Sequence, residues 1–369
     1  MSTLRVEALE QPDGTAFVFN NKNLLINGGM NVWQRSTSAT ASSTGYKTVD
    51  RFQYSQNGTA AYTQSRSTDV PSGQGFGYSM KMDVTTALAS PAAGNYSMFM
   101  QKMEGQNLQH LLKGSSSAKS LTLSFWVKSN KTGTYIVRFS DEDNSRTISK
   151  SYTVDTANTW EKKTITYEGD TTGTLDNDNA ESLTVQWWLS AGSTYTSGTL
   201  ATSWESTTNA NIAVGITNLL DSTSNEWYIT GIQLEVGSTA SGFEFEPYAT
   251  TQNKCYRYYF RMEHDNKSTG TFQQFLNGFW GLFNSGTDIG ASKITPVEMR
   301  SDDLTFTYSN RTDFDIEPWD QAPNAITVQS TSRWGVIAVF TSPTSRTTGS
   351  AAIVGLDTAG SWYAIDDEL

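Results

Sequence analysis

Residues 227–248 read WYITGIQLEVGSTASGFEFEPY, and the fold turns on how the first ten of them alternate. Trp227 and Ile229 share one side of an extended strand. Ile232, Leu234 and Val236 fall on the other side, because side chains change sides at every step. An extra residue inserted at Gly231 brings all five onto one core, so the pattern predicts a β-bulge there. Gln233 and Glu235 then face away from that core. GSTASG turns the chain, and a second short strand ends at Pro247. The stretch reads as the closing strand of a large β-domain, with a new unit starting after Tyr248.

The rest of the composition agrees. The 369 residues are enough for two ordinary domains, each with its own core. Charged residues make up 17 % and apolar ones 37 %, while aromatics reach 12 %, with eleven Trp. Few charges, many hydroxyls and many rings suit short strands joined by polar turns. The net charge of −11 disfavours nucleic acid as a partner, since a phosphate backbone needs a basic field. It equally disfavours anionic lipid. The single cysteine, Cys255, excludes an intrachain disulfide. The opening MSTLRVEALEQPDG has neither a basic start nor an apolar run, so no signal peptide is expected. No window is long and apolar enough for membrane insertion as a helix.

Working outward, the fold class reads as all-β: a polar arm over 1–22, a large sandwich over 23–248 and a smaller β-sandwich over 249–369. In the arm, Leu4, Val6 and Ala8 alternate before the turn at Pro12–Gly14, and Phe17 and Phe19 after it. Two such marginal strands need a partner to pair with. In the large domain Tyr78, Met80, Met82 and Val84 alternate with polar residues, and Leu108, Leu111 and Leu112 predict a short helix over 106–113 ended by Gly114. Nine or ten strands fit before Tyr248, enough for two sheets face to face. After it, Tyr256, Tyr258, Phe260 and Met262 alternate as a strand containing Cys255. Further strands are expected at 271–283, 293–299, 304–308, 325–328, 334–340, 351–356 and 362–365.

Two strands break the rule that polar faces carry small polar residues. In SLTLSFWVKS, Trp126 shares the outward side with Thr122, Ser124 and Lys128. In SLTVQWWLS, Trp188 shares it with Thr184 and Gln186. A large indole on a wet face is the informative exception.

Several ordered motifs resemble phage tail-fibre and related virion proteins: NLLINGGMNVWQRS followed by VDRF, then QKMEGQN, SLTLSFWVKS, TWEKKTITYEGD, WYITGIQLEVGS and CYRYYFRM. TPVEMRS at 295–301 and the terminal DDEL resemble the small β-domain that ends many of them. STLRVEAL resembles the openings of fibre proteins from marine cyanobacterial phages. The resemblance implies a jelly roll similar to carbohydrate-binding modules, homotrimer assembly and adhesion to host cell-surface glycan. It also implies attachment to other virion tail or capsid proteins, for which the arm is suited by strand addition. A chain without export signal or disulfide fits a virion component made in the host cytoplasm and released by lysis. The expected function is therefore a non-enzymatic short tail fibre or spike. The alternatives are a purely structural capsid decoration or tail connector and, behind both, a polysaccharide-degrading tailspike.

Sugar rings present C–H faces that stack on aromatic planes, and their hydroxyls bond to amides and hydroxyls. Trp126, Trp188 and Gln186 are thus the expected glycan-binding residues, with Tyr195 and Trp204 as a rim. The competing reading places these indoles beneath a loop or a neighbouring subunit. Asp176, Asp178 and Glu181, and the turn Asp141–Ser145, lack the spacing of a calcium loop and read as solvated acidic turns. Glu244 and Glu246 point the same way from one strand, so they read as an exposed edge and not a hydrolase pair. His110 and His264 have no partner at catalytic or metal spacing. No catalytic residue, metal or cofactor is expected.

Overall fold

The computed structural model describes residues 22–264, 278–317, 321–356 and 360–369. The arm expected over 1–22 lies outside the described residues except for Lys22, as does the whole stretch 265–277. Among the described residues, twelve strands precede residue 237: β1 (Ser38–Ala41), β2 (Gln53–Asn57), β3 (Ala61–Ser67), β4 (Ser79–Thr86), β5 (Tyr96–Glu104), β6 (Leu121–Ser129), β7 (Gly133–Asp141), β8 (Arg146–Val154), β9 (Glu161–Tyr167), β10 (Glu181–Ala191), β11 (Glu205–Ser206) and β12 (Glu226–Val236). They form two antiparallel six-stranded sheets, β1-β3-β4-β12-β6-β9 and β11-β8-β7-β10-β5-β2. The inward residues of both, among them Met80, Phe99, Leu123, Phe125, Val137, Phe139, Val185, Trp187 and Trp227, make one core. The fold is all-β and jelly-roll-like, as the alternation predicts.

β12 lies in the middle of the first sheet and carries the bulge. Its register against β6 shifts between Thr230 and Gln233, and Gly231 has φ +61°. Trp227, Ile229, Ile232 and Leu234 are consequently all in the core. Val236, the fifth residue expected there, is 39 % exposed because the chain leaves the sheet at that point. Before the bulge β12 pairs with β4. Beyond it that edge is taken by the incoming chain, where Leu24 N donates to Leu234 O (2.8 Å) and Ile232 N to Gly28 O (3.0 Å).

Gln233 and Glu235 do point away from the core, yet both are buried. The returning segment docks over them: Ser241 N donates to Glu235 Oε1 (2.8 Å), and Glu244 N to Gln233 Oε1 (2.8 Å). Lying on the sheet's face, that segment finds side chains and not a backbone ladder, so the second short strand expected before Pro247 does not form. Glu244 is buried with Asn23 N on its Oε2 (3.0 Å), and Glu246 takes Thr251 Oγ1 (3.1 Å) and Lys254. The exposed edge read for this pair is thereby corrected.

Two further local expectations change. Residues 248–256 form a helix, α2 (Tyr248–Tyr256), not the start of a strand; the 4-residue helical chain at Ser193–Thr196 is α1. Thr251 and Cys255, one helical turn apart, are the buried face of α2. The stretch 106–113 holds two single 3₁₀ turns, at Gly105–Asn107 and Gln109–Leu111. Leu108 and Leu111 recur at three residues, which suits that tighter helix, and Leu112 (φ +51°) and Gly114 (φ +82°) end it.

After α2 come β13 (Tyr259–Glu263), β14 (Phe279–Phe283), β15 (Asp288–Ile294), β16 (Thr305–Tyr308), β17 (Phe314–Glu317), β18 (Ala325–Ser332), β19 (Gly335–Thr341), β20 (Ala351–Leu356) and β21 (Trp362–Asp366). A three-stranded sheet, β13-β21-β16, packs on a six-stranded one, β17-β20-β14-β15-β19-β18, around Phe279, Phe314, Phe340, Val354 and Tyr363. The two sandwiches meet through charges. Arg35 pairs with Asp366 (3.2 Å) and Glu368 (3.3 Å), Arg51 pairs with Glu368, and Arg257 grips Glu104 with two bonds (2.9 and 2.8 Å). Arg51 stacks 3.3 Å from the Tyr258 ring. Beside them, burial pushes the Asp50 carboxyl up to about 6, against the pull of Arg35 and of the Gln34 bonds.

Candidate functional site: an aromatic lane on the outer sheet face

On β6, Leu121, Leu123, Phe125 and Val127 are locked in the core, which forces Thr122, Ser124, Trp126 and Lys128 to the opposite side. Trp126 sits between Thr230 of β12 and Lys162 of β9 in one cross-strand row. Lys162, Thr164 and Thr166 of β9 are exposed, and the Trp126 indole is half-buried beside them. Among the described residues its N–H makes no hydrogen bond within the chain. The lane therefore offers a flat ring flanked by an ammonium and hydroxyls.

One end of the lane is held rigid. Asp69 accepts from Trp160 Nε1 (2.9 Å) and from Lys128, whose ammonium lies 4.3 Å from the Tyr228 ring and 5.8 Å from the Trp160 ring. The Tyr228 hydroxyl donates to Glu226, which also pairs with Lys81 (3.2 Å). Partial burial alone would raise the Asp69 carboxyl, but the bonds from Lys128 and Trp160 outweigh it and hold the group below its usual range. Burial and the Glu226 contact push the Tyr228 hydroxyl up. Trp160, Tyr228, Lys128 and Asp69 were not among the residues expected from sequence. The outward position of Tyr228 on β12 was the signal available.

The other four expected residues are elsewhere. Trp188 and Gln186 are on β10 of the second sheet, so they and Trp126 lie on opposite faces of the sandwich, about 10 Å of packed core apart. Trp188 does stand on the outer face, but it is 1 % exposed. Its N–H donates to Gln186 Oε1 (3.1 Å), and its ring packs 5.3 Å from Tyr195 and 5.9 Å from Tyr96. Met98, Ile136, Ile212 and Ala213 complete a second small core beneath the segment 193–216. The expectation that Trp188 and Gln186 form an open platform is thus corrected: the chain's own loop covers them, and Gln186 accepts from buried Arg138 (3.1 Å). Apolar Leu200, Ile212 and Ile216 in a stretch without strand alternation were the sign of that cover. Tyr195 is half-buried on α1. Trp204 is half-buried at the sandwich edge, with its N–H on Glu168 O (2.9 Å) and Lys113 5.0 Å from its ring. The five do not form one site.

The acidic turns are also more occupied than expected. Asp141 is fully buried. Lys113 reaches Asp141, Asp170 (3.0 Å) and the carbonyls of Thr172 (3.2 Å) and Gly173 (3.0 Å), and Arg146 holds Asp170 with two bonds (2.6 and 2.9 Å). Burial opposes ionisation of Asp170, but those hydrogen bonds keep it below the usual carboxylate range. Glu181 pairs with Lys102 (2.8 Å). A cleft of about 430 Å³ between the sandwiches is lined by Asn107, Arg257, Glu298 and Arg333, but Arg257 is committed to Glu104 and Arg333 to Glu298 (3.5 Å).

No family model matches the chain, and no curated protein does. Among solved structures, the chain is similar over 61 % of its length to the tailspike protein 4 enzymatically active domain of bacteriophage CBA120, at 15 % identity and a TM-score of 0.33, and it spans 23 % of that protein. It is similar over 55 % of its length to the family 11 carbohydrate-binding module from Clostridium thermocellum in complex with a β-1,3-1,4-mixed-linked tetrasaccharide (13 % identity, 98 % of the module, TM-score 0.29). A putative sugar-binding protein from Bacteroides thetaiotaomicron is similar over 58 % (10 % identity, 99 % of that chain, TM-score 0.32).

Proposed function

We propose that this chain is a non-enzymatic virion protein, a short tail fibre or spike, that adheres to glycans on the host surface through the lane at Trp126. The observation that carries the reading is the half-buried indole of Trp126 on the outward sheet face, in the row between Thr230 and exposed Lys162, with exposed Thr164 further along the same neighbouring strand as Lys162. A ring in that setting stacks on a sugar while its neighbours bond to the hydroxyls. The motif resemblance to tail-fibre proteins supplies the biological setting, the homotrimer and the marine cyanobacterial host. Single sites of this kind bind weakly, so several copies on one particle gain by avidity.

A glycan array that includes envelope polysaccharides of marine cyanobacteria tests the reading. Retention of the full chain on at least one polysaccharide, without release of reducing ends, is the expected result. Retention on none removes the adhesin, and release of reducing ends makes the chain an enzyme.

A further inference from the structure

We propose that the outward side of the sheet β11-β8-β7-β10-β5-β2 holds an anion site centred on Arg138. The site suits a carboxylate or sulfate group, as a free ion or as the acid group of a sugar. On β7, Tyr135, Val137 and Phe139 are in the core, which turns Ile136 and Arg138 outward. One cross-strand row runs Gln53, Met100, Gln186, Arg138 and Ser149 over β2, β5, β10, β7 and β8. Ile136 and Met100 belong to the small core beneath the segment 193–216, so Arg138 stands at the border of that cover and is 8 % exposed.

A guanidinium this deeply placed normally meets a carboxylate, because taking an unpaired charge out of water is costly. Arg138 meets none. Its Nε donates to Thr147 Oγ1 (2.7 Å) and its Nη1 to Gln186 Oε1 (3.1 Å), both neutral acceptors. Glu142, the acid whose charge reaches it, is exposed and makes no bond to it among the described residues. Burial pushes the guanidinium down to about 10, so it keeps its charge at neutral pH. Donors without acceptors accumulate in the same row. Nη2 of Arg138 has no hydrogen bond among the described residues and is not sealed from solvent. The Gln186 amide is oriented by two donors on its Oε1, from Arg138 and from Trp188 (3.1 Å), which leaves its Nε2 without an acceptor as well. Ser149, directly across the ladder from Arg138, has a buried hydroxyl with no partner. Water offers such donors an oxygen but not the missing negative charge. An oxyanion offers both, and its oxygens match the planar fork of a guanidinium.

The site lies on the opposite sheet from Trp126 and is read by a different measurement. The Tm of the full chain is followed against acetate, sulfate and glucuronate at constant ionic strength. At least one of the three should raise it saturably, by about 3 °C, and glucose should not. Arg138→Met should abolish the rise, whereas Trp126→Ala should respond like the wild type. Acetate or sulfate acting as well as glucuronate assigns the site to a free anion, and a lower midpoint for glucuronate assigns it to an acidic sugar. No saturable rise with any of the three, or the same rise in Arg138→Met, overturns the proposal. If Arg138→Met loses its fold, Arg138→Lys replaces it. An ammonium lacks the fork, so half of the rise should then need about ten-fold more anion, and an unchanged midpoint overturns the proposal.

Discussion

Trp126 and Trp188 arise from nearly the same local text, LSFWVK and VQWWLS, and end in opposite environments. Alternation places both indoles outside the main core, and that much is legible in the residues themselves. What alternation does not encode is the segment 193–216, far from Trp188 before folding, that lies down on it. Trp188→Ala should therefore act as a core truncation and cost about 3–5 kcal/mol in denaturant unfolding. Retained stability would return Trp188 to the surface. Asp170 makes a second argument at this scale. Its folded carboxyl titrates below its unfolded value, so its stabilisation is complete above the ordinary carboxylate range near pH 4 and fades as pH falls through the folded value. Asp170→Asn should lose about 3 kcal/mol at pH 7, because Lys113 and Arg146 are left without their partner. That deficit should shrink as the pH falls through the lowered range of the folded carboxyl, where the wild-type group is protonated too. A deficit independent of pH would count against the ion cluster.

Among elements, β12 was the most readable because one glycine decides its register. Gly231 answers two demands at once: its φ is +61°, and a Cβ there would stand 2.5 Å from the Phe76 ring. Gly231→Ala should cost about 2 kcal/mol from backbone strain and crowding together, measured as a shift in the denaturant midpoint. A neutral substitution would mean that the bulge relaxes freely. α2 was misread for an equally physical reason. YATTQNKCY buries only Thr251 and Cys255, too little apolar area to show a helical stripe, while the Tyr and Phe residues just beyond it alternate well. The strand signal therefore spread backwards over the helix. The segment 240–247 was misread because it docks onto a sheet face instead of an edge, a choice made by Gln233 and Glu235 across the turn.

For the whole molecule, the all-β class and the two runs of strands were visible in composition and period, whereas the joint between the sandwiches was not. That joint brings Arg35, Arg51 and Glu104 to Asp366, Glu368 and Arg257, pairs separated by as many as 333 positions in the chain. No local pattern announces such a contact. Its consequence is that the aromatic lane on the first sandwich is carried by a chain whose second sandwich is tied to it by buried ion pairs. The most direct test of that arrangement's purpose is the affinity of the full chain and of Trp126→Ala for a polysaccharide identified on the array, at equal oligomeric state. Stacking on an indole contributes about 1 kcal/mol, so Trp126→Ala should weaken each site about five-fold while its Tm stays with the wild type. Equal affinity of the two proteins would contradict the account, whatever the polysaccharide.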